Sequence, residues 1–101
     1  MVKHIVFWKL REDVTGAART EALQRIKATF EAMLGQVPGL QKIEIGFGFA
    51  EGPEAVDLIL YSEFESRAAL QGYEKHPLHV AAVPMVREIR IERRAGDYEV
   101  Q

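Results

Sequence analysis

Two stretches of this chain carry large apolar side chains on both faces of a strand, and two others carry them on one face only. Residues 2–10 place Val2, His4, Val6, Trp8 and Leu10 on one side and Ile5 and Phe7 on the other. At 56–64, Val56, Leu58, Leu60 and Phe64 oppose Ile59 and Tyr61. Following Pro38-Gly39, by contrast, Ile43, Ile45, Phe47 and Phe49 alternate with Lys42, Glu44, Gly46 and Gly48. From residue 86 onward, Ile89 and Ile91 stand against Glu88, Arg90 and Glu92. A strand buried on both faces belongs inside a sheet and a one-sided strand at its edge, so the first and third strands are expected to be central.

Helical spacing fills the gaps. Asp13 and Thr15 offer cap oxygens ahead of Leu23, Ile26, Phe30, Met33 and Leu34, and Gly35 is a terminator, which predicts a helix over about residues 16–34. Ser66 can cap a second helix running to about Tyr73, and Pro77 can open a further short turn before Pro84. Strand, helix, strand, strand, helix, strand is the split βαβ order of an α+β, ferredoxin-like fold: a four-stranded antiparallel sheet with its helices on one face. The whole chain, 1–101, reads as one domain. Because two helices cover one face only, Ile5, Phe7, Ile59 and Tyr61 are left needing cover. The same face of a second copy would supply it, giving a homodimer.

The composition excludes several classes. A net charge of −2 gives no electrostatic reason for nucleic acid. Arg87, Arg90, Arg93 and Arg94 are interleaved with Glu88 and Glu92 and read as a solvated mixed-charge edge. With no cysteine there is neither a disulfide framework nor thiolate chemistry. The opening residues lack the long apolar run of a signal peptide or membrane span, so a cytoplasmic location and no membrane partner are expected. The glycines of Gly46-Phe-Gly-Phe-Ala-Glu-Gly52 sit in or after a strand with no helix to receive a pyrophosphate, and fit a bulge or close packing instead.

Chemistry, if the chain has any, is concentrated in Tyr73-Glu-Lys-His-Pro-Leu-His79 and in His4, which shares its strand face with apolar groups. Burying His4 unpaired would cost about 1–3 kcal/mol, so it needs a partner or a role. His76 precedes a proline, which biases it toward extended backbone and an N-cap position, with His79 in the first helical turn. The partial positive charge at a helix N-terminus disfavours imidazolium, leaving His79 neutral and suited to take a proton alpha to a carbonyl. Tyr73 can then hydrogen-bond the carbonyl oxygen, while His4 orients His79 or relays a proton. Val6, Trp8, Phe30 and Leu70 would wall an apolar cleft around these groups, with His76 beside the substrate. His4, His76 and His79 offer three nitrogens for a metal, but His76 as a cap points away from His79, and neither a metal nor another cofactor is expected.

The opening Val2-Lys-His-Ile-Val-Phe-Trp-Lys-Leu10, the Tyr73-x-x-His-Pro-x-His-Val80 segment and the closing Asp97-Tyr-Glu99 resemble the stress-responsive A/B barrel (Dabb) family across essentially the whole chain. The resemblance implies a dimeric α+β barrel in which two sheets meet face to face. It also implies a possible activity, because similar plant proteins are polyketide cyclases that close a linear chain by aldol condensation without metal or organic cofactor. Their acid-base residues map onto His4, Tyr73 and His79. Two other classes stay open: a non-catalytic dimer that binds a small hydrophobic or aromatic molecule or serves in stress response, and a cofactor-free monooxygenase acting on an activated aromatic substrate. In the bland alternative, His4 is a satisfied core histidine, and His76 and His79 only shape a helix start.

Overall fold

The computed structural model describes residues 1–100. Its elements run β1 (Val2–Leu10), α1 (Gly16–Glu31), β2 (Leu40–Phe47), β3 (Leu58–Phe64), α2 (Arg67–Lys75), α3 (Pro77–Arg87) and β4 (Arg90–Glu99). The strands form one antiparallel sheet in the order β2-β3-β1-β4, with the two strands that are apolar on both faces at its centre. In this register Val6 faces Leu60 on one side and Ala95 on the other, so one sheet face gathers Val6, Trp8, Leu58, Leu60 and Phe64. Ile26 and Phe30 of α1 and the following Met33 complete the core, all nearly fully buried. Ser62 is the one polar β3 residue on that face, and its hydroxyl donates to the His4 carbonyl at 2.8 Å. The opposite face, with Ile5, Phe7, Ile59 and Tyr61, carries no helix, and Phe7 is 39% exposed.

The element ends differ from the sequence expectations for local reasons. Helix α1 stops at Glu31 rather than near residue 34, since the chain must turn to reach β2. Met33 rolls into the core while Leu34 stays half exposed, and Gly35 takes the left-handed conformation that closes the turn (φ 85°). Thr15 occupies the N-cap of α1, but its side chain makes no cap bond. The segment after Pro77 is a full helix of 11 residues that continues through Pro84. Proline there removes the N–H that would have bonded the Val80 carbonyl, a loss eased by the exposure of Val80 to water, while Ala82 and Val86 anchor the helix inside. On β2 the apolar face ends at Ile45: Phe47 is 39% and Phe49 97% exposed, the latter beyond the strand.

Side chains fasten both ends of α1 to the sheet. Near its start Arg19 donates to Asp57 Oδ1 at 2.8 Å, and the other Asp57 oxygen accepts the Leu10 N–H at 2.7 Å. At its end Glu31 Oε2 accepts from Lys27 Nζ at 2.6 Å and from the Ile45 N–H at 2.9 Å, while Lys27 donates to the Ile45 carbonyl at 2.9 Å. The exposed rim of edge strand β2 is thereby capped by the helix that packs on it. Gly48 lies where its backbone meets β3's approach: a Cβ there would stand 2.0 Å from the Val56 carbonyl oxygen, so no other residue fits.

Candidate active site

The bend between α2 and α3 builds the centre of the site. His76 ends one helix and caps the next with extended backbone (φ −65°, ψ 138°), as the following proline requires. Its Nδ1 accepts the Leu78 N–H at 3.1 Å and its own N–H donates to the Tyr73 carbonyl at 3.1 Å. With its ring committed to the cap, His76 lies outside the cleft described below. The bend folds His79, the third residue of α3, back against Tyr73 of α2, with ring centroids 4.4 Å apart. His79 Nδ1 donates to the Glu74 carbonyl at 3.1 Å, which fixes the neutral tautomer and leaves Nε2 with its lone pair.

His4 approaches the same tyrosine from β1, with ring centroids 6.1 Å apart. It is 6% exposed and partnered: Nδ1 donates to Asp97 Oδ1 on β4, its direct neighbour in the β1–β4 register. Sequence reasoning noted Asp97 only within the closing motif and gave it no part in the site; it lies 93 residues from His4 and meets it only once the first and last strands are paired. The Tyr73 ring therefore stands between two imidazoles, each held by its Nδ1. Its own hydroxyl has no partner and is the one buried, unsatisfied side-chain polar atom among the described residues.

These groups open into a cleft of about 280 Å³ between β1 and β4 on one wall and α3 on the other. His4, Val6, Trp8, Phe30, Tyr73 and His79 all line it, joined by Leu60, Val83 and Val86. Leu70 does not; it lines a separate groove with Val2 and Asp97. Arg87, Arg90 and Arg93 complete the walls, and reading them as a solvated edge missed this. A bulge explains the miss: Lys9 pairs with Glu92 but Leu10 with Arg90, so the extra residue, Ile91, is turned outward (52% exposed), while Arg93 sits opposite Trp8 on the helix side. Among the described residues no group of three or more His, Asp or Glu is placed to hold a metal ion.

The environment sets the protonation states. Burial pushes the Tyr73 phenol far above its ordinary 10.0, opposed by the charge of Arg93, so it remains an O–H donor at neutral pH. Burial also lowers His79 below its ordinary 6.5, against the Glu74 carbonyl bond and carboxylate that favour the cation, with His4 and Arg93 adding to the lowering. Loss of solvent is the leading cause that keeps His79 neutral. A neutral base, a fixed acid and an apolar wall are the elements of general acid–base catalysis.

Known proteins place the chain in context. It is 33% identical over 88 residues to the uncharacterized protein SCO4036 of Streptomyces coelicolor, covering 87% of this chain and 89% of that one. A dimeric protein of unknown function and ferredoxin-like fold from Bacteroides fragilis superposes with a TM-score of 0.87 at 35% identity, over 98% of this chain and 95% of the other. The fold is shared, at 14% identity and a TM-score of 0.81, by a hydroxynitrile lyase from Passiflora edulis, over 99% and 93% of the two chains. The model of the stress responsive A/B barrel domain matches residues 2–100, and the chain belongs to that family.

Proposed function

We propose that the protein is an acid–base enzyme acting on a small hydrophobic or aromatic carbonyl compound, in the manner of a polyketide cyclase. The observation that carries this reading is the Tyr73 hydroxyl, buried and unpartnered on a ring that packs against the imidazole of a neutral His79. An unmet hydroxyl of this kind costs about 1–3 kcal/mol in the empty protein, a cost that a substrate oxygen placed there would remove. His79 Nε2 takes the proton from the carbon alpha to the carbonyl, and the electron pair moves onto the carbonyl oxygen, where the Tyr73 O–H stabilises it. The enolate carbon then attacks a second carbonyl of the same molecule, and the resulting alkoxide recovers the proton from the imidazolium. No electrons are gained or lost. His4, oriented by Asp97, serves as a second proton carrier on the other side of the phenol.

The protein's partner in this reading is a second copy, docked through the helix-free sheet face. Ile5, Phe7, Ile59 and Tyr61 supply apolar surface there, and the Bacteroides protein at 35% identity is described as dimeric. Among the described residues no helix is long and apolar enough to cross a membrane; the cytoplasmic setting of this reading rests on the cysteine-free composition.

Proton abstraction can be followed without knowing the substrate. In D2O, NMR should show the acetyl protons of 4-acetylbenzamide exchanging faster with the protein than with buffer alone, and the acceleration should vanish in His79→Gln while the fold is retained. Exchange at the buffer rate in the native protein would leave a binding dimer as the better reading.

A further inference from the structure

Charge is distributed unevenly over the surface concavities. The groove around Leu70 mixes Arg67 with Glu74, Asp97 and Glu99, and the one beneath Pro84 mixes Arg25 with Glu88. The cleft at Tyr73 has Arg87, Arg90 and Arg93 in its walls and neither aspartate nor glutamate. None of these three guanidinium groups has a carboxylate within ion-pair distance among the described residues, although the chain as a whole is net negative. Arginines are usually matched by neighbouring acids; a one-signed set over an apolar floor is a receptor for an anion.

We propose that the substrate of this cleft is a small acid, whose carboxylate is held at the rim by Arg93 with Arg87 and Arg90 beside it, and whose compact apolar body reaches in toward Tyr73. The proposal rests on the cleft being the substrate site and adds the substrate's charge. A volume of about 280 Å³, walled by Trp8, Phe30, Leu60 and Val83, suits a single-ring body rather than an extended one. A planar monoanion fits better than a phosphate dianion because the arginines gather at the C-terminal end of α3, where Arg87 is the last helical residue. The partial negative charge of that helix end opposes a concentrated dianion more than a monoanion spread over two oxygens. Of the three arginines, Arg93 is the one whose charge acts on both Tyr73 and His79. It thus sets the end at which an acid enters and the distance from its carboxylate to the carbon that loses a proton.

Trp8 is the single tryptophan and lines the cleft, so its fluorescence reports occupancy. Titration with 4-acetylbenzoate and with its neutral partner 4-acetylbenzamide should show the acid binding at least about tenfold more tightly, a preference falling to about twofold or less in Arg93→Gln. His79→Gln should keep the preference while losing proton exchange, which separates a failure of charge recognition from a failure of the proton-transfer reading. Equal affinity for acid and amide, no quenching by either, or a preference unchanged in a folded Arg93→Gln protein would overturn the proposal. So would inorganic phosphate displacing 4-acetylbenzoate at concentrations below those of benzoate.

Discussion

The two edges of the sheet are held in opposite ways. At the β2 edge the charges that α1 brings to the strand are answered: Lys27 and Glu31 bond each other and both backbone groups of Ile45. At the β4 edge, Arg87, Arg90 and Arg93 surround a cleft with no acid in its walls, and the Tyr73 hydroxyl beneath them has no partner. The clamp on β2 is satisfied internally; the cleft leaves three guanidinium groups without an ion-pair partner among the described residues and a buried hydroxyl without an acceptor. Donors without acceptors cost stability in the empty protein, and a protein tolerates that cost where a ligand will supply the acceptor.

Substitutions in the two halves should therefore separate stability from activity. The largest effect belongs to the packed side: Phe64→Ala, at a fully buried position, should lower unfolding free energy by about 3–5 kcal/mol in chemical denaturation. Next comes the clamp on β2, where Glu31→Ala should cost about 1 kcal/mol, since it removes two hydrogen bonds that are partly open to solvent. Its effect should depend on pH. The Ile45 N–H and then Lys27 hold the Glu31 carboxyl below its ordinary 4.5, so the folded state releases this proton more readily than the unfolded chain does. The stabilisation is present above pH 4.5 and is lost as pH falls through the depressed folded value, and the difference between native and Glu31→Ala melting temperatures should shrink over that range.

On the cleft side His79 gives a related trend from a different cause. Its lowered value means the unfolded chain takes up a proton first, so stability is present above pH 6.5 and declines as pH falls from there to the folded value, a decline that His79→Gln should abolish. The same shift keeps the base form available below pH 6.5, placing the acidic limb of a pH–exchange profile lower than for free imidazole. The smallest stability effect is expected for Arg93→Gln, within about 0.5 kcal/mol, because the residue is exposed and unpaired.

Much of the architecture was legible because apolar patterning maps directly onto sheet position: Ile5, Phe7, Ile59 and Tyr61 mark two strands as central whatever the details of their neighbours. The cap at His76 was equally readable, since proline restricts the residue before it. Three features were not. Pro84 inside α3 depends on whether the Val80 carbonyl faces water, a tertiary fact. The place of Arg90 in the arginine wall depends on a bulge at Ile91 that shifts the alternation at the start of β4, which no count of odd and even positions detects. Asp97 joins His4 only through the pairing of the first and last strands. Leu70 was placed in the cleft as an apolar residue of the second helix over the first strand, but it lines a separate groove with Val2.

The contrast between the two edges comes down to a single oxygen atom, and Tyr73→Phe removes it while leaving the ring that packs on His79 and Phe64. Thermal melting and deuterium exchange into 4-acetylbenzoate, measured on the same preparation, test the claim directly. A melting temperature equal to or above that of the native protein, together with loss of most of the exchange, is the expected result. A clear fall in melting temperature with exchange intact would contradict it, because the hydroxyl would then be supporting the fold and contributing nothing to the chemistry.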